Sequence, residues 1–187
     1  MQVRTLLSLA LVVGLVGPAD AIVSSARTSH AASTAAPAEI VWGRLRLALP
    51  AGWTIEARDD GPIGHSRDGN EDVRITLFGA PLALRNATPA AHLKRYIDNL
   101  SRPDPEWPGI KDVVPYTPFA MPGGEPATMR IEDLGDDDFV VEFAVALPGE
   151  LYAINFYRTG NPKDAAVTYT ELVRHARFVP EGDRAYE

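Results

Sequence analysis

Residue types able to do chemistry fall in four places along this chain. Gly64-His65-Ser66-Arg67-Asp68 comes within one residue of the G-x-S-x-G nucleophile elbow, with Asp68 where the second glycine belongs. That elbow works by putting serine on a sharp turn between a buried strand and a helix. Here a polar loop precedes and a strand follows, and a triad is defined by geometry rather than by a neighbouring histidine. The segment therefore reads as a surface loop. Asp68-Gly69-Asn70-Glu71-Asp72 offers side-chain oxygens at alternate positions, as a calcium loop does. The glycine and the bidentate glutamate that such a loop also needs would fall on Val73 and Gly79, so a polar turn fits better. Asp136-Asp137-Asp138, with Glu132 and Asp133 close by, is the densest run of like charge. Such a run must be well solvated or meet cations, and it is the first place to look for a basic partner. Trp107, in a loop stiffened by Pro103, Pro105 and Pro108, either anchors a partner or folds back on the core. His30, His92 and His175 are isolated from one another and are expected at the surface. No catalytic residue, metal ligand set or cofactor site emerges.

Composition narrows the function classes. The chain has 187 residues, 18 basic and 25 acidic, for a net charge of −7, and contains no cysteine. An acidic balance disfavours nucleic acid and anionic lipid, both of which call for a basic stripe. Without cysteine there are no disulfides, thiolate zinc sites or cysteine nucleophiles.

Residues 1–21 read as a secretory signal. Arg4 gives a positive start, Leu6 to Val16 an apolar run, and Ala19-Asp20-Ala21 a small-residue cleavage pattern. The run is too short to serve as a transmembrane anchor. Residues 22–38 are rich in Ala, Ser and Thr and read as a flexible leader. Arg4 and Asp20 cancel and Arg27 adds one positive charge, so residues 39–187 carry −8. Residues 39–180 are expected to form one domain, and 181–187 a disordered acidic tail.

The elements that must position these candidates follow from pattern. Arg44 to Leu49 alternates polar and apolar and predicts a strand; Trp53 to Arg58 and Asp72 to Phe78 predict two more. Asp59 to Glu71 reads as loop. Thr88-Pro89 and Asn161-Pro162 each place a capping side chain before proline at the first helical position, predicting helices. Between them lie strands at Val113 to Phe119, Ala127 to Asp133, Phe139 to Leu147 and Leu151 to Tyr157. The third of these is apolar on both faces and so belongs at the centre of a doubly covered sheet. The order β-β-β-α-β-β-β-β-α, with short hairpin links, predicts an α+β fold: an antiparallel sheet with two flanking helices.

This order resembles that of the PsbP-like superfamily, which includes small exported DcrB-type bacterial proteins. The resemblance rests on the opening strand into Leu49-Pro50-Ala51-Gly52-Trp53, the helix ending at Leu100, and the meander. Tyr152 to Phe156 and the final helix running into Ala176-Arg177-Phe178 complete it. It implies non-enzymatic binding or assembly roles and carries over no active site. Together these features predict an exported, periplasmic or secreted, accessory protein that binds another protein through Trp107 and Asp136–Asp138. An inhibitor or immunity-type protein facing a basic envelope protein or toxin is the sharper form of this expectation. The alternatives are a small hydrolase using Ser66 and His65, and a carrier of a small ligand.

Overall fold

The computed structural model describes residues 37–79, 86–101 and 111–186. The signal, His30 and the leader up to residue 36 lie outside these residues, while Ala38 packs against the core. The strand that is apolar on both faces, Phe139 to Leu147, lies inside the main sheet. Asp138–Leu147 (β8) pairs antiparallel with Pro126–Gly135 (β7) on one side and Glu150–Thr159 (β9) on the other. Lys111–Ala120 (β6) extends the sheet beyond β7. Beyond β9 follow Glu71–Gly79 (β5), Ile63–His65 (β4) and Thr54–Glu56 (β3), giving the order β3-β4-β5-β9-β8-β7-β6. The edge strand β6 carries Pro115 and Pro118 and two register shifts against β7. Prolines and bulges break the regular donor row that would otherwise invite another chain to pair.

Alternation along β8 sorts the two faces. Val141, Phe143, Val145 and Leu147 join a core with Ile154, Phe156, Val73 and Ile75. The helix Pro162–Arg174 (α2) contributes Ala165, Tyr169 and Val173 to that core, and the Phe156 and Tyr169 rings stack 4.2 Å apart. Ala144 and Ala146, on the opposite face, meet Leu93 of the helix Pro89–Leu100 (α1). Leu151 of β9 joins them there, with Tyr96 and Ile97 of α1 packed against the patch. Both helix starts are capped as their sequences predict: Thr88 Oγ1 accepts from the Ala91 amide and Asn161 Oδ1 from the Lys163 amide. The α+β arrangement with one helix on each face is therefore the expected one.

Several elements escaped the sequence pattern. Glu39–Gly43 (β1) forms a hairpin with Leu45–Ala48 (β2), which is the expected Arg44 to Leu49 strand, and Arg177–Phe178 (β10) and Ala185–Tyr186 (β11) join them in a second sheet in the order β10-β2-β1-β11. Ile40, Leu45 and Leu47 from it are fully buried in the α2-side core. β4 lies inside the stretch read as loop. The C-terminus is a correction to the expected disordered tail. Glu181–Asp183 makes a 3-10 turn and β11 pairs with β1. The cause is electrostatic as well as steric: Glu150 is buried, and Arg184 supplies its counter-charge at 2.5 Å. Arg46 Nη2 also donates to the Asp183 carbonyl at 3.0 Å.

Candidate functional site

Ser66 and His65 do not assemble as nucleophile and base. The Ser66 hydroxyl donates to Asp68 Oδ1 at 2.7 Å and accepts the Glu71 amide at 2.9 Å, closing the turn between β4 and β5. Asp68 also accepts from the Asn70 amide and side chain, which is why DGNED is a turn rather than a cation loop. His65 points both ring nitrogens at carboxylates: Nδ1 lies 2.7 Å from Asp72 and Nε2 3.2 Å from Glu56. The imidazolium thus ties β3, β4 and β5 together, and Asp72 above all raises the His65 pKa, with Glu56 adding to the effect.

A raised histidine pKa stabilises the fold below the unfolded value of about 6.5, and that contribution disappears as pH rises through the folded value. His65→Gln is therefore expected to lose stability at pH 5.5 and little at pH 8.5, read from urea midpoints at the two pH values. An equal loss at both would show that the ring packs rather than carries charge.

The acidic run is a tight turn. Gly135 pairs with Asp138, leaving Asp136 and Asp137 as the two linking residues at φ +54° and +65°. Two successive left-handed residues are what a type I′ hairpin turn demands, and Asp adopts that conformation more readily than most residues. Backbone geometry thus explains why aspartate stands here. Asp133 Oδ1 accepts the Gly135 amide, the Asp137 carbonyl accepts the Gly160 amide, and Thr159 donates to Asp138. Asp136 and Asp137 stay exposed and pair with no cation among the described residues. A shallow pocket of about 160 Å³ opens beside Asp138, bounded by Tyr157, Arg158 and Asp72. Glu132 does not belong to this cluster, contrary to its proximity in sequence. Trp107, the other expected anchor, lies outside the described residues.

Glu132 belongs instead to a charge network that sequence reading missed. Glu142, only 4% exposed, sits on the α1 side of β8. It accepts Arg130 Nε and Nη2 at 3.1 and 3.0 Å, the Tyr96 hydroxyl at 2.9 Å and the Tyr116 hydroxyl at 3.0 Å. Arg130 also contacts Glu132 and stacks over the Tyr116 ring at 4.7 Å. Four elements meet on one carboxylate: α1, β6, β7 and β8. Burial pushes the Glu132 pKa up against the pull of Arg130, and burial with the Glu142 charge raises both tyrosines. The signal available in sequence was the lone glutamate inside Phe139–Leu147. His92 is likewise a correction: it is 7% exposed on α1, not at the surface, and burial lowers its pKa. His175 is exposed at the end of α2, with Nδ1 2.7 Å from the Glu171 carbonyl. Among the described residues no three His, Cys, Asp or Glu side chains converge to hold a metal ion.

No protein-family model matches the chain. No curated protein matches it in sequence. Its shape does match solved structures. The solution structure of cyanobacterial PsbP (CyanoP) from Synechocystis aligns over 73% of this chain and 87% of its own, with a TM-score of 0.52 and 10% identity. The Saccharomyces cerevisiae Ran-binding protein Mog1p aligns over 80% of this chain and 99% of its own, with a TM-score of 0.52 and 12% identity. The fold is PsbP-like, shared in outline by these two proteins across nearly their whole lengths.

Proposed function

We propose that this protein is an exported, non-enzymatic accessory domain that binds a basic protein through the β7–β8 turn. The observation that carries the reading is the turn itself: Asp136 and Asp137 are fixed on a two-residue hairpin and project without a counter-ion among the described residues. A rigid anionic tip loses little conformational freedom on docking, and its field speeds encounter with a cationic surface. The −8 charge of residues 39–187 acts in the same direction. Mog1p, which shares the fold, is a Ran-binding protein, and this likeness supports a binding role. The signal-like residues 1–21 support export, and no helix among the described residues is long and apolar enough to cross a membrane. An inhibitor or immunity role is the specific form this binding would take if the partner is a toxin.

The test exploits the turn chemistry. Asn tolerates the left-handed region as Asp does, and its side-chain oxygen can still accept from Thr159. Asp136→Asn, Asp137→Asn and Asp138→Asn together therefore remove three charges and keep the hairpin. Capture from the native envelope fraction should recover a stoichiometric basic protein with the parent chain. Affinity of the triple variant should fall about tenfold or more, and the salt dependence should flatten. Unchanged affinity in the triple variant would overturn the assignment.

A further inference from the structure

We propose that the groove between the β2–β3 and β4–β5 turns is a saccharide subsite that favours a sugar carrying a carboxylate. The groove has a volume of about 520 Å³ and is lined by Ala51, Trp53, Ser66, Arg67, Asp68 and Glu71. It is a wide, solvent-open depression, suited to a ligand that lies on the surface rather than one enclosed by it. Pairing of Thr54 with His65 places Trp53 across from Ser66. Gly52, at φ +90°, brings its turn against the aliphatic stem of Arg67, with Cδ 3.5 Å from where a β-carbon would stand. Trp53 packs partly on the core and also lines the groove.

Neither the Trp53 indole N–H nor the Arg67 guanidinium has a hydrogen bond or ion pair among the described residues. The groove's acids are already engaged. Asp68 holds Ser66 and Asn70, and Glu71 holds Arg158 at 2.9 Å. Arg67 is therefore the groove's charge without a partner among the described residues. The groove thus combines an aromatic residue, two donors unpaired among the described residues, and acceptor capacity left on Asp68 and Ser66. A sugar ring meets all three: its C–H face suits an indole, and its hydroxyls both donate and accept. One carboxylate on the ring would pair with the Arg67 fork. Densely anionic ligands are disfavoured because Asp68 and Glu71 share the rim. This site is independent of the acidic turn proposed for protein binding.

The test is an NMR titration of the full chain, following the indole N–H of Trp53, assigned with Trp53→Phe. The probe is a hyaluronan tetrasaccharide, with chitotetraose, tetraglutamate and inorganic phosphate as comparators. Saturable shifts of the Trp53 signal are expected with the acidic saccharide, and about tenfold weaker binding with chitotetraose or in Arg67→Gln. Arg67 is exposed, so its replacement leaves the fold in place. No shift of the Trp53 signal at about 10 mM saccharide would overturn the proposal. Equal binding of any comparator, or no effect of Arg67→Gln, would also overturn it.

Discussion

Arg130→Met is expected to cost about 3–5 kcal/mol at neutral pH, among the largest effects of any single change in this protein. The arginine is the cation for two buried carboxylates, Glu142 and Glu132, which are 4% and 8% exposed. Methionine fills most of the same volume, so packing changes little while two acidic groups lose their counter-charge. Glu132 can then remain buried only by binding a proton, which ties the defect to pH. In the parent, burial already raises the Glu132 pKa. A raised acid favours the fold at low pH, and stability falls as pH rises through its folded value. In the variant this dependence should steepen, with a large loss at pH 8 and a smaller one near pH 5. Urea midpoints across that range would show it. Replacing the group together, as Arg130→Met, Glu132→Gln and Glu142→Leu, should recover most of the loss, because no buried charge is then left alone. The hydroxyls of Tyr96 and Tyr116 would lose their acceptor, so recovery should be incomplete. A pH-independent loss in the single variant would show that Arg130 acts through its packing on Tyr116.

Gly61→Ala is expected to be comparably severe for a steric reason. Gly61 has φ +132°, a region that residues with a β-carbon avoid, and an added β-carbon would overlap the carbonyl oxygen of Ile75. Ile75 lies in the central part of β5 and is buried in the core, so neither partner can yield cheaply. Strain of about 1–3 kcal/mol and overpacking of about 1–3 kcal/mol should together lower the melting temperature sharply. Gly69→Ala separates the two effects. Gly69 also has positive φ, at +72°, but nothing lies within 4 Å of its added β-carbon. It should lose only the conformational part, about 1–2 kcal/mol. Equal losses at the two positions would mean that the close approach at Ile75 relaxes.

These two sites mark where sequence pattern stops being informative. Periodicity and capping residues made the main sheet and both helices legible, because β8 reads as apolar throughout and Thr88-Pro89 and Asn161-Pro162 announce helix starts. β4 was not legible, since Ile63-Gly64-His65 is a strand through its pairing with β3 and β5 rather than through any period. β10 and β11 are two residues each and exist because β2 and β1 offer them edges. Near-adjacency in sequence grouped Glu132 with the acidic turn, but alternation along β7 turns its side chain toward Arg130 and the interior. The same local logic explains the aspartates of the turn in part without function, because Asp136 and Asp137 satisfy a backbone requirement. Their exposed charge, unpaired among the described residues, is what a basic partner would engage.

Engagement of the acidic turn can be tested directly by photocrosslinking in the native cells. A photoreactive residue replaces Leu134, exposed beside the acidic turn, or Ile55, exposed on β3. Five strand steps separate β3 from β7, about 24 Å at the usual strand spacing. Crosslinks to a basic protein from position 134, lost when Asp136, Asp137 and Asp138 become asparagine, are the predicted result. Crosslinks from position 55 alone, or crosslinks at 134 that persist in the asparagine variant, would contradict binding through the acidic turn.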